Sequence, residues 1–296
     1  MTVTEQTKTN STSLSPGASS FTPHLDNIYK YWIPSTPIAS PMPLKLHGLG
    51  TLLLPLRLWL GDELLWSVGP RGPRVGRRTF IKGPCEPTEL AAMEFVATHT
   101  SIPIPKVINT YRLYGGELYI EMEYIPAMDL EEAWSGGLLT EEQKEGIVKE
   151  LAGYVGQMRK LDPPEREFVG SVDQKSCLDY RVGFFAFGPF REHEKFHDFL
   201  RRNLAIEHST ASFGRLTHAD LCMRNILVKD GKVRAIIDWE FGGWYPEYWE
   251  YTKAHYGQFN IPDWYERLGS IMGKYDDELT AERILWKRCD LPGEPI

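Results

Sequence analysis

The stretch that decides the fold is Leu216–Trp239, LTHADLCMRNILVKDGKVRAIIDW. Two apolar runs, NILV and VRAIID, flank Lys229-Asp230-Gly231-Lys232. Asp-Gly between apolar runs predicts a tight β-hairpin, because both central residues tolerate positive φ. A hairpin brings its two ends together. Asn225 opens the first run and Asp238 closes the second, so their side-chain oxygens can face one cation. A hard divalent cation takes oxygen ligands and keeps room for water and phosphate. Just upstream, His218, Asp220 and Asn225 form the pattern H-x-D-x-x-x-x-N. Each piece alone is common, since an Asp at a strand end often only caps a turn. Hairpin, loop and second Asp together are far more demanding.

Outward from this stretch, the chain divides in two. Upstream, Arg78–Lys82 (RTFIK) reads as a short strand. Thr88–Thr100 carries Leu90, Met93, Val96 and Ala97 at helical spacing. The prolines of SIPIPKV stop that helix. Glu117–Ile125 alternates apolar and polar residues, as a half-buried strand does. From Thr140 onward helix dominates. Thr140 is a good N-cap, and TEEQ suits a helix start, with an end expected near Leu161, before Pro163-Pro164. A further helix is expected over Glu192–Ile206, and helices return after Pro246. The strand-rich and helix-rich parts meet near Glu123–Met128.

Composition narrows the function. With 296 residues, 42% of them hydrophobic and 25% charged, the chain can bury a large core without disulfides. A formal net charge of -7 argues against binding nucleic acid through general electrostatics. The four cysteines, Cys85, Cys177, Cys222 and Cys289, form no CxxC pair. They point to reduced thiols in a cytoplasmic protein. Met1–Pro23 is rich in Ser and Thr and lacks the apolar core of a signal peptide. It is expected to be disordered, with an extended Pro-rich approach over Pro34–Pro43. Thr51–Leu60 (TLLLPLRLWL) is about half the length needed to span a bilayer and holds Pro55 and Arg57. The expectation there is a buried helix or strand, with no membrane partner.

The H-x-D-x-x-x-x-N spacing is that of the kinase catalytic loop. HADLCMRNILV followed by IIDWEFGGWYPEYWEY resembles the fungal branch of the aminoglycoside phosphotransferase family, in the protein-kinase-like superfamily. THTSIPIPKV and YIEMEYIPAMDLEEAW agree with it, so the resemblance covers roughly Thr79 to Tyr256. It implies an α+β, bilobal, protein-kinase-like fold with a small strand-rich N-lobe and a larger helical C-lobe. The boundaries expected are a leader over 1–43, an N-lobe over 44–125 and a C-lobe over 126–296.

The resemblance also implies ATP and Mg²⁺, with transfer of the γ-phosphoryl group to a hydroxyl of a small molecule. That acceptor would be aminoglycoside-like, an amino alcohol or a secondary-metabolite intermediate. Asp220 would orient the hydroxyl and take its proton late, and His218 would hold the loop by bonding backbone. Asn225 and Asp238 would hold Mg²⁺. By position, Lys82 matches the strand lysine on the α- and β-phosphates and Glu89 its helix partner, with Glu94 as the rival. Glu123 and Ile125 match the hinge that bonds adenine through backbone groups. Met122 or Ile237 would line the adenine pocket or belong to the core.

The departures from the family pattern are informative. Ala219 replaces a glycine, tolerable unless the position needs positive φ. Gly69, Gly72 and Gly76 do not form G-x-G-x-x-G, and Arg71, Arg74, Arg77 and Arg78 either hold phosphate or line a solvated turn. Gly242-Gly243 and WYPEYWEY follow Asp238 at once, without the segment that docks protein substrates, which disfavours a protein kinase. Trp244, Tyr245, Tyr248, Trp249 and Tyr251 either stack on an acceptor or form core. Glu240, Glu247 and Glu250 either recognise an amine or cap helices. The alternative function is a catalytically inactive, kinase-like binding or regulatory protein.

Overall fold

The structure, a computed structural model, describes residues 49–64, 72–113, 115–201, 204–205, 213–256 and 261–288. The leader expected over 1–43 lies outside these residues.

The smaller lobe opens with helices α1 (Leu49–Leu52) and α2 (Leu54–Leu64). Strand β1 (Thr79–Cys85), helix α3 (Pro87–His99), and strands β2 (Val107–Arg112) and β3 (Leu118–Glu123) follow. The strands form an antiparallel sheet in the order β1-β3-β2. The face of α3 turned inward carries Glu89, Ala92, Met93 and Val96. Ala97, expected in that face, is exposed. β3 is covered on both sides rather than one. Leu118, Ile120 and Met122 join the main core, while Tyr119 and the buried Glu121 lie under α2.

Arg57 of α2 reaches across to clamp Glu121, with Nη2 on Oε1 at 2.5 Å and Nη1 on the Tyr111 hydroxyl at 2.6 Å. Tyr111 itself donates to Glu121. Arg57→Ala would leave a buried carboxylate with one neutral donor. A loss of about 1–2 kcal/mol is expected in denaturant unfolding, less than for a fully buried pair because Arg57 is partly exposed.

The TLLLPLRLWL segment is helical, but it is not buried. Leu54 is fully covered, whereas Leu52, Leu53, Leu56, Trp59 and Leu60 are exposed. The helix packs on the sheet through one side only, against Ile81 and Tyr111.

The larger lobe begins with β4 (Met128–Asp129), α4 (Leu130–Ser135) and α5 (Glu141–Met158). Thr140 caps α5 in a full capping box with Gln143. Ile147, Leu151, Val155 and Met158 form its buried stripe at helical spacing. Then come β5 (Gly170–Ser171), β6 (Cys177–Asp179), β7 (Gly183–Phe187), α6 (His193–Arg201) and β8 (Gly214–Thr217). The hairpin strands β9 (Ile226–Lys229) and β10 (Lys232–Ile236) precede β11 (Gly243–Pro246). Helices α7 (Trp249–Tyr256), α8 (Pro262–Met272) and α9 (Asp276–Arg288) complete the described chain.

At the hairpin tip Asp230 and Gly231 have φ of 54° and 69°. This is the doubly left-handed turn that Asp-Gly favours. The tip is pinned to α5, where Glu150 accepts from Val233 N at 2.9 Å. The architecture is thus bilobal and protein-kinase-like, strand-rich in one lobe and helical in the other. No described helix is long and apolar enough to cross a membrane.

Candidate active site

β8 pairs with β11 and delivers His218 at its end, fully buried. The imidazole accepts the Asp220 N–H at Nδ1 (3.2 Å), so Nε2 carries the proton and donates to the Ile237 carbonyl at 3.0 Å. His218 therefore ties the loop to the residue before Asp238 through backbone, with its ring against Trp239 at 4.5 Å. Asn225 ends the short 3₁₀ turn Met223–Asn225. Its amide nitrogen donates to Asp220 Oδ2 at 2.8 Å and to the Asp220 carbonyl at 2.9 Å. Ile237 N donates to Asn225 O at 2.9 Å, closing the hairpin base beside Asp238.

On the facing lobe, β1 carries Lys82 and α3 carries Glu89. Lys82 Nζ donates to Glu89 Oε1 at 2.6 Å and to Asp238 Oδ1 at 2.5 Å. Glu94, the rival for Glu89, is exposed on the opposite side of α3. Burial alone would lower the Lys82 ammonium, but Asp238 and then Glu89 outweigh it and hold it well above its ordinary value. Burial pushes the Asp220 carboxyl up to about 6, against the pull of Lys253. Glu240 rises to about 8, through burial and the nearby Asp238 charge.

Oxygens of Glu89, Asp238 and Glu240 lie within 4.8 Å of one another. With the amide oxygen of Asn225 on the adjoining loop, these are hard donors of the type a divalent cation takes, and the residues fit Mg²⁺. Glu240 was not expected in this group. Its signal was its place two residues after Asp238.

At the hinge, Glu123 N donates to Lys106 O and Ala127 N to Ile125 O, each at 2.9 Å. Glu123 and Ile125, expected to meet adenine through backbone groups, flank Tyr124, whose N donates to Arg78 O at 2.9 Å. Met122 belongs to the core, whereas Ile237 is partly exposed beside Asp238. Of the glycine stretch, Gly69 and Arg71 lie outside the described residues. Gly72, at φ 129°, lets the chain pass where a Cβ would press on the Ile81 carbonyl. Arg74 builds its own turn, bonding the carbonyls of Gly76 (2.9 Å) and Arg77 (2.7 Å).

Ala219 falls under the exception to its expected tolerance. Its φ is 62°, so the position does require left-handed backbone. That conformation costs an L-residue about 1–2 kcal/mol. Glu250, buried in α7, helps to hold it. Its Oε2 accepts the His218 N–H at 2.6 Å, and the N–H groups of Ala219 and Leu221 also favour its charge. Burial still pushes its carboxyl up to about 7. Trp244, Tyr245, Tyr248, Trp249 and Tyr251 are all buried core. Glu250 thus neither meets an amine nor caps a helix; it anchors the loop.

Comparison with known proteins bears on the whole arrangement. A profile of the phosphotransferase enzyme family (APH) matches residues 86–279. The sequence comparison with curated proteins found no match. Among solved structures, the GDP complex of wild-type aminoglycoside 2'-phosphotransferase-IIIa has a TM-score of 0.50 at 12% identity. That match covers 79% of this chain and 87% of the other. The gentamicin complex of APH(2'')-IIa gives a TM-score of 0.45 at 12% identity, covering 71% of this chain and 75% of that one. An apo thermostable mutant of APH(4)-Ia gives 0.42 at 16%, covering 74% and 87%. At 12% identity the first of these shows the fold alone. The family profile spans more than half of the sequence and encloses the H-x-D-x-x-x-x-N loop, the hairpin and Glu89, so the chain belongs to the APH phosphotransferase enzyme family.

Proposed function

We propose that this enzyme transfers the γ-phosphoryl group of ATP to a hydroxyl of a small molecule. The observation that carries the reading is the convergence of Lys82 and Glu89 from one lobe on Asp238 from the other. Asp238 stands at the base of a hairpin whose opposite end holds Asn225 against Asp220. When bound, Mg²⁺-ATP supplies the phosphoryl group and the charge that neutralises it in transfer.

Asp238, Asn225 and Glu240 are the residues proposed to hold the metal, and Lys82 to hold the phosphates with Glu89 fixing its direction. Glu123 and Ile125 would meet adenine through backbone. Asp220 orients the acceptor hydroxyl and takes its proton as the new O–P bond forms. His218 positions Asp220 through backbone. Catalysis of this kind is mostly placement and electrostatics. A small acceptor is favoured because only Trp239–Gly242 separate Asp238 from β11, too short a run to dock a protein. The run WYPEYWEY supports the fungal branch, and four cysteines without a CxxC pair support a cytoplasmic setting.

ADP release should be followed with purified full-length chain, Mg²⁺-ATP and a panel of hydroxylated compounds. Asp220 works ionised, so activity is present above its pKa and lost below it. With that group near 6, kcat/KM should fall about tenfold per pH unit below pH 6. Labelling of generic protein substrates alone would sink the small-acceptor reading.

A further inference from the structure

A cavity of about 600 Å³ lies behind the hinge, apart from the residues proposed for catalysis. Its size is that of pockets that take small molecules. Tyr124, Pro126 and Ala127 of the hinge line it, but Glu123 and Ile125, proposed for adenine, do not. The sheet register agrees. Met128 of β4 pairs with Val228 of β9, and both line the cavity. The next pair in register, Asp129 and Leu227, does not line it and belongs to the other face. Lys82, Asp220, Asn225 and Asp238 take no part in it.

The walls are mainly aliphatic. Ala133 and Val228 are buried at its floor, while Met128 and Leu138 stay 40% and 59% exposed at its sides. The polar groups come from the hinge, α5 and the hairpin tip. The Tyr124 ring already carries the Arg74 guanidinium at 4.2 Å. Gln143 is held in the capping box of α5. Asp230 pairs with Arg234 at 3.3 Å, and Lys232 with Glu150 at 3.0 Å. Among the described residues no carboxylate pairs with Lys229, the third cation of the tip, which lines the cavity. The tip thus keeps one uncompensated positive charge in a protein of net charge -7.

We propose that this cavity is a second ligand site, for a free medium-chain aliphatic monocarboxylic acid. The tail lies along Met128, Ala133, Leu138 and Val228, and the carboxylate meets the Lys229 ammonium at the mouth. Burial of the tail supplies most of the affinity, and the exposed ion pair selects the head group. An alkylammonium of equal length meets Lys229 as a like charge. No residue proposed for phosphoryl transfer lines the cavity, so the acid is a ligand and not the acceptor. The inference therefore stands apart from the proposed function.

Calorimetry of octanoate against full-length chain tests it. One site per chain is expected, with Kd of about 1 mM or tighter. Octylammonium should bind about tenfold more weakly or less well still. Lys229→Met should weaken octanoate by about threefold or more, and Leu138→Asp, which sets a negative charge in the apolar wall, by about tenfold or more. Both side chains are exposed, so both variants keep the fold. Absence of saturable binding to the native chain overturns the proposal. So does equal affinity for octylammonium, or octanoate binding unchanged by either substitution. No phosphoryl transfer enters these readouts, so failure of the proposed activity would leave them as they are.

Discussion

Asp220→Ala is expected to lower turnover by roughly 10²–10⁴-fold, the range for removing a positioned general base. Nucleotide affinity should stay within about twofold, because the groups proposed for phosphate and metal remain. The fold should not suffer. Burial already pushes this carboxyl up to about 6, and Asp238 and Asp179 repel its charge. Truncation therefore removes an ion held at a cost, and only the Asn225 amide loses a side-chain partner. A measured pair of outcomes, turnover down with the melting temperature kept, separates chemistry from architecture. Native turnover in the variant would remove Asp220 from the role of base.

Glu250→Ala should have the largest effect on stability, about 2–3 kcal/mol. The His218 N–H would lose a charge-assisted acceptor at a site with no water access. Weaker support for the Ala219 and Leu221 N–H groups would go with it. Ala219 would then keep its left-handed strain with fewer bonds to hold it. Relief of the Glu250 desolvation cost offsets part of the loss, since its carboxyl is already raised to about 7. Glu250→Gln keeps an acceptor oxygen and should lose less. Chemical denaturation of both variants checks the order. A Glu250→Ala protein as stable as the native chain would dismiss the anchor.

How much of this was legible in the sequence depended on how local the cause was. The Asp230-Gly231 turn and the Thr140 capping box depend on a few neighbouring residues, and both are present as expected. The meeting of Lys82 with Asp238 spans 156 residues, so no spacing rule reaches it. The family resemblance gave Lys82 only the phosphates and Glu89, so this contact was not expected. Glu250 stayed hidden because a buried charge looks like a surface charge until its partners are known. Tyr248 and its aromatic neighbours masked it further, since that run fits a ligand wall as well as a core. The exposure of α2 was hidden for the opposite reason. A segment with leucines on every side does not say which side the sheet will cover. The φ of Ala219 has no signature in alanine itself.

The hairpin that carries Asn225 and Asp238 also divides the site in time. Closing a turn of this kind takes about 1–10 μs in isolated hairpins. The Lys82–Asp238 contact must instead close a loop of 156 residues, across a core that residues of both lobes share. The half of the site that carries Asn225 and Asp238 is therefore a local product of early folding, and the lysine half arrives when the shared core closes. Refolding should pass through a species with the hairpin amides already protected from exchange while Lys82 has yet to find its carboxylates. Competence for chemistry then appears only in the last, slowest phase.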